Sequence, residues 1–334
     1  MKKLVFNLVK FAFIAAWFFV AWQLFILQTI AQQPVALKSE IELSIAAGDT
    51  VNSLVDQLVE DNQIEHKWLT KLFIKINPNL QNIKVGKYLI SPPINLQQLL
   101  VKLVDGEQIQ YRLSIIEGLT VKQVFESIKR HPNITSTIES SSLLPQVLGS
   151  SYSHPEGLLF ADTYQFPDGY TDKQLVMRSY KKLLSVLDEE WQRRQPDLPY
   201  SSPYQALIMA SIIEKETAVA KERTKIAGVF VRRLKKNMRL QTDPTVIYGV
   251  GESYAGDITR KHLKTDTPYN TYTRHGLPPT PIAIVGRESI HAALNPDDGT
   301  ALYFVATGDG GHYFSDTLQQ HQAAVQRYLL RSKN

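Results

Sequence analysis

The 334-residue chain contains no cysteine. That excludes disulfides, thiolate metal sites and a cysteine nucleophile, and it is compatible with an oxidising compartment. Lysine and arginine form no long unbroken run. The net charge of +5 therefore suits anionic surfaces or polymers in general and argues against nucleic acid as a partner. The eight histidines are scattered, without an HxH or HExxH spacing, and no metal or other cofactor is implied. Charge is also missing from residues 11–37. The core of that stretch, "FAFIAAWFFVAWQLFILQTIA", has about the ~20 residues a helix needs to cross a hydrocarbon layer.

Lys2, Lys3 and Lys10 precede this span and no lysine follows it closely. A single N-terminal transmembrane helix is expected, with a cytoplasmic N-terminus and an exported remainder. A signal peptide cleaved after Ala31 competes with this reading, although its apolar region would exceed the usual ~7–15 residues. Trp17 and Trp22 lie in mid-segment instead of an interfacial belt. Beyond the span, 43% apolar and 21% charged residues describe a folded chain, long enough for an anchor and two domains.

From Glu40, "IELSIAAGDTVNSLVDQLVEDNQI" alternates like a strand, turns at Gly48-Asp49 and takes helical spacing through Val51, Leu54, Val55 and Leu58. "HKWLTKLFIKIN" is a second helix. "VGKYLISPPINLQQLLVKLVDG" repeats the strand–turn–helix pattern as far as Gly106. The result is a small β-α-α-β-α module with no clustered acids, suited to binding or spacing. A further strand–turn–helix unit opens at 111–130. The Ser-rich, proline-broken segment 131–155 is expected to cover a surface. A long amphipathic helix starts near Thr171 and ends before Pro196.

The stretch "MASIIEKETA" (209–218) carries two glutamates. Ser201 or Ser202 can cap a helix with Pro203 in its first turn. At 100° per residue from Ala206, Ile208, Met209, Ile212, Ile213, Val219 and Ile226 fall between about 200° and 340°. Glu216 falls at about 280°, within that stripe, and Glu214 at about 80°, with Ala210 and Lys221. This phase carries Glu216 inward and leaves Glu214 as a solvated or ion-paired surface residue. A carboxyl in an apolar setting must be paired, hydrogen-bonded or protonated, and desolvation raises its pKa as a proton donor requires. An ordinary buried ion pair with Arg223 or Arg239 explains the pattern equally well.

Two loops shift that balance. "RLQTDPTVIYGVG" packs Gln241, Thr242, Asp243, Thr245 and Tyr248 between two helical stretches, and "TPYNTYTRHGLPPTPIAIVG" sets Tyr269, Asn270, Thr271 and Tyr272 before a Gly-Leu-Pro-Pro turn. Amides bond hydroxyls in both directions and aromatic faces stack on pyranose rings, so the mixture suits a polyhydroxylated sugar. Each loop alone is also ordinary turn chemistry.

"ASIIEKETA", "RLQTDPTVIYG", "TPYNTYTRHGLPP" and "EGLLFADTYQF" (156–166) together resemble the membrane-anchored endolytic murein transglycosylases, the YceG-like family, over nearly the whole chain. One departure is Ala161, where that family leads one to expect proline. The resemblance implies an α+β chain in three parts: residues 1–37 as cytoplasmic N-terminus and anchor, 38–107 as a LysM-like module, and 108–334 as the catalytic domain. It implies Glu216 as the catalytic acid, and Tyr269 and Asn270 as substrate-positioning residues. Gln241, Asp243 and Thr271, with Glu156 at the head of its motif, complete the candidate substrate-binding set. The implied activity is a lyase cleaving the β-1,4 bond between N-acetylmuramic acid and N-acetylglucosamine, leaving 1,6-anhydro ends and terminating growing strands. The implied partners are peptidoglycan strands, the inner membrane and the wall-synthesising polymerases. From the residues alone, a hydrolase pairing Glu216 with Asp243, or a non-catalytic wall-binding scaffold, remains open.

Overall fold

A computed structural model describes residues 2–330. The chain divides into two compact units, one built from residues up to 111 together with 165–169, the other from 112–164 and 170 onward.

The first unit begins with helix α1 (Lys2–Ala31), whose segment Lys10–Ala31 is long and apolar enough to cross a membrane. Phe11, Phe13, Trp17, Trp22 and Phe25 are all more than half exposed, whereas a core helix of a soluble domain would bury them. The end of α1 is different. Ile30 and Ala31 are buried in one cluster with Val55, Leu58, Leu96 and Leu99, and Ile26 and Leu27 pack against it. Gln33 continues the joint, donating to Thr70 Oγ1 at 3.1 Å and accepting the Glu65 N–H at 3.2 Å.

The elements β1 (Ile41–Ile45), α2 (Val51–Glu60), α3 (Lys67–Ile76), β2 (Gly86–Ile90) and α4 (Leu96–Asp105) follow in the order the spacing predicts. Strands β1 and β2 pair antiparallel with Leu43 opposite Tyr88. Local chemistry sets the helix ends. Thr50 with Ser53 and Asn95 with Gln98 form reciprocal caps at the starts of α2 and α4. Gly106, at φ 78°, ends α4 in the left-handed conformation that glycine adopts readily.

The second unit is mainly helical. Strand β3 (Tyr111–Ile115) leads to α5 (Val121–Lys129), then β4 (Ile134–Thr135), α6 (Leu144–Leu148), β5 (Asp162–Phe166), β6 (Tyr170–Thr171) and α7 (Asp172–Gln192). Strand β3 pairs with β5, and β4 runs parallel to β6. Next come α8 (Pro203–Glu216), α9 (Arg223–Lys235), α10 (Asp243–Val250), α11 (Arg260–Lys264) and α12 (Arg287–Leu294). The antiparallel pair β7 (Tyr303–Ala306) and β8 (His312–Ser315) and helix α13 (Leu318–Val325) follow, and a π-helical turn (Gln326–Leu330) closes the described chain.

Helix α8 is central, packed by α7, α9, α10 and α12. Every residue from Ala206 to Ile213 is buried. The segment 282–285 is buried as well, and its Ile282 N–H reaches Ser211 Oγ at 3.0 Å.

Two expectations change here. The segment 131–155 is not simply a surface cover, because Ile134, Ile138, Leu144 and Leu148 are buried. Asp172, itself fully buried, pins it by accepting from the Thr137 and Ile138 N–H groups and the Thr137 hydroxyl. The polar run after Leu240 is also not a loop throughout. From Asp243 it forms α10, with Thr242 as N-cap and Pro244 in the first turn, where a missing N–H costs nothing.

Candidate active site

Glu216 is the last residue of α8, and Thr217 leaves the helix in extended conformation. The helical wheel carried past this point therefore ran beyond the helix, since Ala220–Glu222 form a separate short turn and Ile226 belongs to α9. The wheel also presumed one buried stripe, whereas α8 is enclosed on all sides, Ala210 included. Glu216 reaches the site because the helix ends there.

Glu214, two residues before Glu216, lies in different surroundings. The expectation of a solvated or ion-paired surface residue holds only for the ion pair: the Glu214 side chain is 5% exposed and pairs with Arg223. Oε2 accepts the N–H of Gly286, the N-cap of α12, at 3.1 Å, and Arg223 lies 3.9 Å from Oε1. A carboxylate at a helix N-terminus is well placed electrostatically. Arg223 thus serves Glu214, and among the described residues no ion pair holds Glu216.

Glu216 is only partly exposed, and its carboxyl accepts a hydrogen bond from the Thr242 hydroxyl. Burial raises its pKa. The Thr242 bond opposes that rise, the neighbouring Asp243 charge adds to it, and His312 and Arg233 oppose it. The balance lifts the pKa above that of an ordinary carboxyl.

The loops expected around this acid do meet there. The N–H of Gln241 donates to the Thr271 carbonyl at 3.2 Å, and the N–H of Thr242 to Thr271 Oγ1 at 3.0 Å. Thr271 Oγ1 also lies 2.9 Å from Thr245 Oγ1. Gln241 sits at φ 52°, a left-handed conformation that turns the chain into α10. Asp243 accepts the Tyr272 hydroxyl at 2.6 Å.

Asn270 is 1% exposed. Its amide donates to the carbonyls of His262, Leu263 and Thr265, and its oxygen accepts the Tyr272 N–H at 2.9 Å. Asn270 and Thr271 are therefore turned into the loop and shape it from behind.

Tyr269 is half-buried and directed toward the other end of α10. Its hydroxyl lies 2.8 Å from Thr280 Oγ1, and its ring meets Tyr248 edge-on with centroids 4.9 Å apart. Gly249 makes the approach possible, since a Cβ there would meet Tyr269 Cβ at 3.0 Å and Thr267 Oγ1 at 2.9 Å. Glu156 belongs to this second group. It is 4% exposed, accepts the Val121 N–H at 2.9 Å and the Tyr248 hydroxyl at 3.1 Å, and is pushed up to about 7 by burial. Its neighbour Gly157, at φ 76°, leaves no room for a Cβ, which would lie 2.5 Å from Pro281 Cβ.

Several residues of the arrangement escape a reading of single motifs. Thr242, Tyr248 and Tyr272 stand out in the two loops by residue type, but their partners Glu216, Glu156 and Asp243 are not readable there. Arg233 and His312 are distant in sequence. Arg233 is 7% exposed, donates to the Leu302 and Leu240 carbonyls at 2.7 Å each, and lies over the Tyr303 ring. His312 is fixed by Glu222, which takes its N–H at 2.9 Å and Nδ1 at 2.7 Å.

Comparisons with known proteins agree with one another. The family model described as the YceG-like family matches residues 43–327. The chain is 30% identical over 316 residues to the endolytic murein transglycosylase of Bacillus subtilis (strain 168), covering 89% of this chain and 87% of that protein. It is 24% identical over 336 residues to the endolytic murein transglycosylase of Streptococcus pneumoniae serotype 2, spanning 87% of this chain but 59% of the longer pneumococcal protein. The crystal structure of a yceG-like protein from Listeria monocytogenes is similar at 33% identity and a TM-score of 0.52, over 86% of this chain and 99% of that one.

Proposed function

This chain belongs to the YceG-like family, and from that premise we propose that it is an endolytic peptidoglycan lytic transglycosylase with Glu216 as its catalytic acid. The observation that carries the reading is the Glu216 carboxyl, raised in pKa by burial, at the C-terminal end of an enclosed helix, with Asp243 engaged by the Tyr272 hydroxyl. Glycosidases that use water need two carboxyls, one as acid and one as base or nucleophile. A lytic transglycosylase manages with one. Glu216 gives its proton to the glycosidic oxygen as the bond from C1 of the muramyl sugar breaks. The resulting carboxylate then takes the proton of that sugar's own 6-hydroxyl as its oxygen bonds to C1. The ring closes as a 1,6-anhydro end, the acid is regenerated and no water is consumed.

Around this step, the Asp243 charge adds to the rise that burial gives the Glu216 pKa. Gln241 and Tyr269 offer polar and aromatic contacts to the strand, while Asn270 and Thr271 hold the loop that presents them. The exposed apolar helix α1 serves as an inner-membrane anchor with a cytoplasmic N-terminus, and the β-α-α-β-α module as a LysM-like holder of glycan. Cleavage of nascent strands beside the polymerases would then end their elongation.

Mass spectrometry of products from purified strands tests the reaction. Anhydro ends with the wild type and none with Glu216→Gln are expected. Reducing ends would instead assign a hydrolase in which Asp243 activates water, and intact strands a binding scaffold.

A further inference from the structure

A groove of about 1080 Å³ opens between α5 and α10 in the second unit. Its walls include Thr120, Gln123, Glu156, Lys215, Tyr248 and Tyr254. Hydroxyl, amide and aromatic groups thus line one channel, and two of its residues, Lys215 and Pro244, adjoin Glu216 and Asp243 in the chain. Tyr248 lies five residues after Asp243 on α10, which is about 7.5 Å along a helix axis. The groove therefore runs beside the acid without containing it.

One buried carboxyl in this groove has no part in the reaction above. Glu156 spends one oxygen on the first N–H of α5 and the other on the Tyr248 hydroxyl. Tyr248 is thereby tied to α5 on one side and set edge-on against Tyr269 on the other. A phenol gripped at its oxygen and at its ring edge has little freedom, so it presents a fixed surface. Burial keeps that phenol protonated as the donor and keeps Glu156 close to half neutral near pH 7, which limits the cost of enclosing it. The remaining charge at the rim is partly cancelled by the Lys122–Glu252 pair.

We propose that the groove between α5 and α10 is a subsite that holds the pyranose chain alongside the acid, with Tyr248 as its aromatic wall and Glu156 as the positioning residue that sets that wall. The inference rests on the glycan-cleaving reading of Glu216. It adds a place where the strand is gripped without being cut.

The test uses the full-length protein in detergent with uncrosslinked peptidoglycan strands as the probe. Binding is measured in a Glu216→Gln background, so that turnover does not intervene, and KM and kcat are measured with Glu216 intact. Tyr248→Ala is expected to weaken binding about tenfold, the scale of one lost aromatic contact. It should raise KM by a similar factor and leave kcat within about threefold. Glu156→Ala should reproduce the effect, and Glu156→Gln should restore most of the affinity, because its amide can still accept from Val121 and bond Tyr248. A folded Tyr248→Ala protein that binds strands as tightly as its parent overturns the subsite, as does a loss confined to kcat. Where Glu156→Ala does not fold, Tyr248→Ala alone decides. If Tyr248→Ala binds normally while the wild type still forms anhydro ends, the subsite fails and the reaction stands. If strands bind and Tyr248→Ala loosens them but no anhydro ends form, the reaction fails and the subsite stands. Strands that do not bind the Glu216→Gln protein at all overturn the subsite.

Discussion

Glu214 and Glu216 differ in what surrounds them more than in how deeply they lie. Glu216→Gln keeps shape but removes the transferable proton, so activity should fall by at least the ~10²–10⁴-fold that positioned acid catalysis supplies. Thermal unfolding of the same variant should show stability held or slightly raised, because no desolvated acid remains. Glu214→Ala should leave the Gly286 N–H without its acceptor and cost about 1–3 kcal/mol in a denaturant titration, with Glu214→Gln much milder. Two neighbours tune the acid in opposite senses. The Asp243 charge raises the Glu216 pKa and the Thr242 bond lowers it. In a pH–rate profile the alkaline limb should therefore move to lower pH in Asp243→Asn and to higher pH in Thr242→Val. Equal shifts of the same sign in both would remove Glu216 from the rate law. Of this site, the sequence makes the acid and the two flanking loops legible, because short motifs carry them. It hides Arg233 and His312, which reach the acid only through the packing of α9 and β8.

At the scale of elements, what is written locally can be read and what depends on enclosure cannot. The starts of α2, α4, α5 and α7 are announced by a hydroxyl or amide followed three residues later by a residue that bonds back. The depth of α8 has no such sign, since an all-apolar turn reads alike on an amphipathic helix and on a surrounded one. Ala210 is the sensitive point: the wheel left it outside, and the structure buries it completely. Ala210→Leu should overpack α8 and destabilise by about 1–3 kcal/mol, measured as a shift in unfolding midpoint; a neutral result would mean that the helix has a free face. The basic stretch "RRLKK" (232–236) is similarly structural. Arg232 and Arg233 spend their guanidinium groups on the carbonyls of Ala301, Asp297 and Leu302, which fasten α9 to the chain before β7.

For the whole molecule, the raised acids set the sign of a pH effect. Glu156 goes from 4.5 to about 7 on folding and Glu216 is raised as well, so the native state binds more protons than the unfolded chain between those values. The contribution of these two acids to the stability of the second unit should consequently fall as pH climbs from 4.5 to 7, against the opposite contribution of His154 and His321, which burial lowers. Glu156→Gln should remove its share of the fall in pH-resolved thermal melts. The anchor joint has a different reach. With Ile30 and Ala31 counted in the module, residues 10–29 at 1.5 Å per residue are about 30 Å, which matches the ~30 Å of an average hydrocarbon layer. Because Ile30 and Ala31 lie inside the module's core and Gln33 is bonded to α3 and the turn before it, the module has no swivel at the membrane surface. In the proposed anchor role, a bilayer thinner than the span would tip α1, and the module would tip with it. Lipid thickness would then set an angle for the module.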